Sequence, residues 1–194
     1  MNSQAEIRTQ IQSMRQSLSQ QQQTRYSSEI CQTLIQSGIL DQAQHIAFYL
    51  PVRGEANPML LQQHAPYQNK HFYLPLLSEL KENHLAFAQY TATTPMRPNR
   101  FKIPEPDIAP ELLLHDPSQL DAIIMPLVGV DEMGNRIGMG GGFYDRTFAF
   151  KKSHKQTPLL IAFAYDFQYI APQRPQDWDV PVDAIALQHQ FILL

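Results

Sequence analysis

Residues 121–150, DAIIMPLVGVDEMGNRIGMGGGFYDRTFAF, set a continuous apolar run, a glycine-rich turn and an Asp-Arg pair in close succession. The run Ile123, Ile124, Met125 does not alternate with polar residues, which suits a central strand covered on both faces. Pro126 has no amide donor and belongs where the chain leaves the hydrogen-bond ladder. Gly138, Gly140, Gly141 and Gly142 then fall within five positions, interrupted only by Met139. Glycines permit positive φ and carry no Cβ, so a phosphate chain can approach consecutive backbone donors. Phe143, Thr147 and Phe150 can share a buried face, so the spacing predicts a helix over 143–150 whose free N–H groups add to that attraction.

The glycines meet neither GxGxxG, because position 143 is Phe, nor GxxxxGK[ST]. Taken alone they fit a tight structural turn or an anion-binding loop. Asp145 and Arg146 favour the second reading. An arginine neutralises phosphoryl oxygens, and a carboxylate can hold a divalent cation bridging them. The alternative is a surface ion pair at a helix start, which contributes little.

Working outward, 194 residues with 43% hydrophobic content can bury one substantial core, so residues 1–194 are expected to form one domain. The formal charge of −3, from 15 basic and 18 acidic residues, gives no support to nucleic-acid binding. Arg97, Arg100, Lys102, Arg136 and Arg146 still allow a local pocket for a small polyanion. Cys31 is the only cysteine, which excludes an intrachain disulfide and a cysteine-based metal site and reads as core packing. No apolar stretch is long enough to span a membrane, and the polar start lacks a signal-peptide core. A cytoplasmic monomer without membrane contact is expected.

Residues 5–24 read as one amphipathic helix, with Ile7, Ile11, Met14 and Leu18 on its stripe and 19–24 as a polar end or connection. Arg8 and Arg15 project along one flank of it, as phosphate ligands or as solubilising charges. A second helix is expected from Ser27 or Ser28 to Gly38. A strand over 46–50 leads into a turn holding Arg53 and Glu55, and Pro58 starts a helix. Glu55 at such a turn can orient a substrate amide or simply face solvent. Further strands are expected over 70–75, 85–90, 159–165 and 183–187. The proline-rich 93–107 reads as a surface loop, 112–114 as a short packed segment and 151–156 as a basic turn or helix end. Gln168 is a candidate hydrogen-bonding group for a heteroaromatic ligand, and Asp179 is either structural or functional. Short apolar strands alternating with helices predict an α/β fold, a three-layer sandwich with a mostly parallel central sheet flanked by helices and loops clustered at the strand ends.

The stretch MPLVGVDEMGNRIGMGGGFYDR resembles the signature of the 5-formyltetrahydrofolate cyclo-ligase family, also called 5,10-methenyltetrahydrofolate synthetases. IRTQIQSMRQSLS resembles the family's basic opening helix, YLPVRGEANP its substrate loop, and NRFKIPEP and AYDFQYIAPQRPQDWDVPVDAI carry the likeness across most of 7–187. Two departures stand out. Leu187 and Gln188 replace a frequent Thr-Glu pair after the last strand, and Arg8 stands where a lysine is common, keeping the charge with different hydrogen-bond geometry.

The resemblance implies ATP- and Mg²⁺-dependent conversion of 5-formyltetrahydrofolate to 5,10-methenyltetrahydrofolate through an N5-iminium phosphate. It assigns Gly138, Met139, Gly140, Gly141, Gly142, Phe143, Tyr144, Asp145 and Arg146 to ATP, with Arg8 and Arg15 as further phosphate ligands. Arg146 stabilises the transferring group, and Asp145 is the candidate Mg²⁺ ligand. Glu55 holds the reduced pterin, Tyr144 lies at the junction of the two sites, and Phe87, Met96 and Trp178 are candidates to enclose the pterin ring. Competing readings are another ATP-dependent transferase on a related loop and a noncatalytic folate- or nucleotide-binding regulator.

Overall fold

The computed structural model describes residues 3–153 and 157–194. Seven strands form one sheet: β1 (His45–Ala47), β2 (His71–Leu77), β3 (Leu85–Gln89), β6 (Ala122–Met125), β9 (Leu159–Phe163), β10 (Ala184–Ala186) and β11 (Phe191–Leu193), in the order β11-β10-β9-β6-β1-β2-β3. The five inner strands pair in parallel, while β3 and β11 close the edges antiparallel. The expected three-layer α/β sandwich is what forms.

Strand periodicity explains the unbroken apolar runs. Ile124, Ile161, Phe163, Ala184 and Ala186 join one core with Ile30, Cys31 and Leu34 of helix α2 (Gln20–Gln36). Their neighbours Ile123, Met125, Leu160, Ala162 and Ile185 join the opposite core with Phe148, packed beside helix α3 (Phe143–Thr147). Successive side chains leave a strand on opposite faces, so a strand covered twice carries no polar alternation. Cys31 is wholly buried and burial pushes its thiol up to about 12, so it packs and does not react.

Helix α1 (Gln4–Ser17) lies against neither of these two cores. Ile11 packs with Val128 and Ile137 beside the hairpin of β7 (Gly129–Val130) and β8 (Arg136–Ile137). Asp131 holds the hairpin turn, accepting from the amides of Met133, Asn135 and Gln173 and from the Asn135 side chain. The hairpin feeds directly into the glycine run, so α1 and that run share one support.

The structure corrects several expectations. Residues 5–24 are not one helix: the chain is extended at Leu18, and Ser19 caps α2 reciprocally with Gln22, so α2 starts at Gln20. Ser-x-x-Gln is a capping box, and it outweighs the continuing apolar stripe. The segment after Pro58 is a 3₁₀ helix, Pro58–Gln63. The proline-rich connector contains a hairpin, β4 (Met96–Pro98) paired with β5 (Pro104–Pro106), with Lys102 at positive φ in its turn. The helix expected over 143–150 breaks at Phe148 into α3 and a 3₁₀ turn, Ala149–Lys152. Of the basic 151–156, Lys151 is buried against Asp183, and 154–156 lie outside the described residues.

Candidate active site

Arg8 and Arg15 are seven residues apart, nearly two full turns, and so leave the same flank of α1. Arg8 Nε donates to the Gly138 carbonyl at 2.8 Å, and Gln12 Nε2 lies 3.6 Å from the Met139 sulfur. One face of α1 is thereby fastened to the glycine run. Gly138 and Gly140 have open space where a Cβ would stand, and Gly140 and Gly142 take φ of +94° and +65°. Arg146 folds back over the run, Nη1 donating to the Gly141 carbonyl at 2.8 Å. A Cβ on Gly142 would meet that Nη1 at 2.8 Å, so the missing side chain is what lets the guanidinium arch over the loop. Arg8 and Arg146 therefore bracket an open loop. With α3 only five residues long, the helix dipole adds little, and the attraction for an anion rests on the loop amides and the two guanidinium groups.

Arg15 goes elsewhere. It is 1% exposed, and its Nη1 lies 3.5 Å from Glu55 Oε1. Glu55 sits in a turn built from the sequence upward: Arg53 and Gly54 both take positive φ, 52° and 76°, and Glu55 N donates to Val52 O. Positive φ at both central positions is the mark of a type I′ turn. Glu55 Oε2 closes it again by accepting from the Val52 amide at 3.1 Å. The turn is anchored on α2, where the Asn57 amide donates to Ser27 Oγ, and by Tyr49, whose hydroxyl donates to the Ala56 carbonyl. Beside it a groove of about 220 Å³ is lined by Glu55, Gly54, Ser27, Asn57 and Gln23. Burial raises the Glu55 carboxyl above the ordinary carboxylate range, opposed by the Val52 amide and Arg15.

Tyr144 is the second residue of α3, directly after the glycine run, with the Arg136 guanidinium 5.9 Å from its ring centre. Its phenol is raised by burial first and then by the charge of Glu55, while Arg136 lowers it. The residue leaving the glycine run thus lies within electrostatic reach of the Glu55 turn. A second cavity, about 350 Å³, is lined by Phe143 of α3 together with Arg97, Arg100, Asn83 and Glu105. There the Arg100 guanidinium lies 5.0 Å from the Phe101 ring centre and 5.9 Å from that of Phe143. This aromatic-cation wall was missed at the sequence level, where Phe101 was only part of a basic connector.

Other predicted roles change. Asp145 does not pair with Arg146; its Oδ1 accepts from Arg136 Nη2 at 2.7 Å and from the Val180 amide at 3.2 Å. Arg136 is buried, with its Nε unpartnered, so Asp145 is its counter-charge. Among the described residues no three His, Cys, Asp or Glu side chains converge to hold a metal ion. The donor set does not build a resident metal site, although Mg²⁺ entering on nucleotide phosphates needs few protein ligands. Phe87 is 0% exposed, packed against Phe148 and bridged to Leu114, so it offers no surface to a pterin. Met96 is paired with Pro106 on the β4–β5 hairpin, and Trp178, 67% exposed, stands in the turn closed from Asp179 to Gln176. Neither lines either cavity. Gln168 is spent on the core, donating to the Leu127 and Val128 carbonyls and accepting from the Tyr165 amide. Gln188, at the C-terminal departure, docks on α2 through Glu29 and Thr33.

Comparison with known proteins agrees with this geometry. The model of the 5-formyltetrahydrofolate cyclo-ligase family matches residues 1–188. The chain is 36% identical over 177 residues to 5-formyltetrahydrofolate cyclo-ligase of Haemophilus influenzae, covering 91% of this chain and 93% of that protein. It is 33% identical to the Escherichia coli K12 protein of the same name, covering 90% and 94%. In fold it is similar to 5,10-methenyltetrahydrofolate synthetase of Aquifex aeolicus, with a TM-score of 0.75 at 24% identity over 98% of this chain and 92% of that one. With the match spanning both arginines of α1, the Glu55 turn and the glycine run, the chain belongs to the 5-formyltetrahydrofolate cyclo-ligase family.

Proposed function

We propose that the protein converts 5-formyltetrahydrofolate and MgATP to 5,10-methenyltetrahydrofolate, ADP and phosphate. The observation that carries this reading is that one flank of α1 reaches the glycine run through Arg8 and the Glu55 turn through Arg15, so that a carboxylate suited to substrate N–H groups and a loop suited to phosphates are tied to the same helix.

A formamide carbon is a poor electrophile because its nitrogen donates into the carbonyl. The formyl oxygen attacks the γ-phosphorus of ATP, forming an O–P bond as the bond to the β-phosphate oxygen breaks and ADP leaves. The resulting N5-iminium phosphate is attacked at carbon by N10. Loss of the N10 proton and departure of inorganic phosphate with the C–O bond pair complete the methenyl bridge. The loop amides over 138–142 hold the phosphates, and Arg8 fixes the first of those residues from the helix side. Arg146 neutralises charge building on the transferring oxygens, a contribution of the kind made by oxyanion-stabilising groups. Glu55 orients the reduced pterin, and the Phe101, Phe143 and Arg100 wall suits the flat remainder of the folate, with the Arg100 guanidinium, which donates to Asn83 through Nη2, as the cation for a carboxylate. Holding three reacting groups in line is the larger part of the catalysis. Mg²⁺ enters with ATP. A cytoplasmic monomer fits this role.

Incubating the protein with 5-formyltetrahydrofolate and MgATP tests the reading: methenyl absorbance should rise with one ADP per product. A protein that binds MgATP yet yields neither product would overturn it.

A further inference from the structure

We infer that Arg15 is a positioning residue for folate recognition, holding Glu55 as an anion aimed at the groove beside α2, and that it takes no part in holding the phosphates. The inference rests on the cyclo-ligase reading, in which Glu55 accepts from N–H groups of the reduced pterin.

The geometry separates Arg15 from the nucleotide side. Arg8, on the same flank of α1, reaches the glycine run, whereas Arg15 is buried with Glu55 as its ion-pair partner among the described residues. Arg15 Nε is buried with no hydrogen-bond partner, so no second acceptor at that atom holds the guanidinium in place. Backbone contact fixes the pair as well: a Cβ on Gly54 would stand 3.0 Å from the Arg15 carbonyl oxygen, so the helix and the turn touch with no side chain between them. Glu55 Oε2 is used by the Val52 amide, which leaves Oε1, the oxygen facing Arg15, as the acceptor for a ligand.

Arg15 comes from α1, Arg53 from the turn itself, Tyr49 from the segment after β1, Tyr144 from α3 and Tyr165 from the segment after β9; all five act electrostatically on Glu55 or are acted on by it. Only the two arginines are cations, and Arg15 is the stronger of the two influences. Burial works against the charged carboxylate, and Arg15 opposes it. Losing Arg15 should raise the Glu55 carboxyl further, so the anion survives only at higher pH.

The test compares Arg15→Met and Arg15→Lys in the full chain. In Arg15→Met the KM for 5-formyltetrahydrofolate should rise about tenfold, roughly the loss of one charge-assisted hydrogen bond. The acid limb of kcat/KM for that substrate should move up by about one pH unit, and the KM for MgATP should stay within about twofold. Arg15→Lys should bring the acid limb back, because the charge returns. Parallel rises in both KM values, or an acid limb that does not move, would overturn the inference. If Arg15→Met does not fold, Arg15→Lys decides alone: a higher KM for the folate with that for MgATP unchanged supports the role, and the reverse overturns it. NMR titration of the Glu55 carboxyl carbon keeps the two levels apart. A wild type that binds MgATP but forms no methenyl product overturns the proposed function and this inference together. A wild type that turns over, with the Glu55 midpoint unmoved in Arg15→Met, overturns this inference alone.

Discussion

Arg8 and Arg15 leave one flank of one helix and end in opposite environments. Arg8 lies over an open loop and donates to a backbone carbonyl, while Arg15 is buried and faces a carboxylate. The same division recurs across α3, where neighbouring residues part: Asp145 turns inward to the buried Arg136, and Arg146 turns outward over the glycine run. In both places one arginine forms an inward ion pair and the other turns outward to donate to a carbonyl of the glycine run. A buried charge whose partner is removed is costly, whereas an exposed guanidinium contributes little to stability and much to a phosphoryl group in a shielded site. The two classes of residue should therefore separate cleanly in experiment.

The largest effect is expected at the inward pair. Asp145→Ala leaves the Arg136 charge buried without its partner and should cost about 3–5 kcal/mol in chemical denaturation. Asp145→Asn keeps an oxygen for the Val180 amide, and its Mg²⁺ dependence should match that of the wild type; a shifted dependence would return Asp145 to the metal. At the outward position, Arg146→Ala should lower kcat by about 10²–10³-fold while the melting temperature stays nearly unchanged. An unchanged kcat at saturating ATP would remove Arg146 from the transfer step. Between these lies Gly54→Ala, which meets both a positive φ of 76° and the Arg15 carbonyl, and should destabilise by about 1–3 kcal/mol.

How much of this could be read from residue types follows the same division. The doubly covered strands were legible because burial on both faces writes itself as unbroken apolar runs, as at Ile123, Ile124 and Met125. The glycine run was legible as a local feature, and the structure folds Arg146 back over it, a contact set by residues five apart in sequence. The inward pairs were not legible. Arg136 and Asp145 are nine residues apart, and Arg15 and Glu55 forty apart, so only the fold chooses their partners. Asp145 beside Arg146 in sequence invited the wrong pairing. Phe87 looked available because an aromatic on an edge-seeking strand carries no mark of the Leu114 bridge that covers it. Ser19-x-x-Gln22, by contrast, was a readable start signal for α2 that the apolar stripe of the preceding helix obscured.

The smallest expected effect sharpens the comparison most, because it asks whether the outward arginine of α1 behaves like the outward arginine of α3. Arg8 makes one charge-assisted bond to the Gly138 carbonyl and an exposed one to Gln4, so Arg8→Ala should cost only about 0.5–1.5 kcal/mol of stability. Its functional signature should be a KM for MgATP raised by a few-fold, more at low salt than at high, because a solvent-facing charge is screened. Arg8→Lys keeps the charge but loses the planar fork that fits a carbonyl and a phosphate together, and should recover only part of the affinity. If Arg8→Ala instead raised the KM for 5-formyltetrahydrofolate and left that for MgATP alone, the flank of α1 would serve the folate along its whole length, and the division between the two arginines would fail.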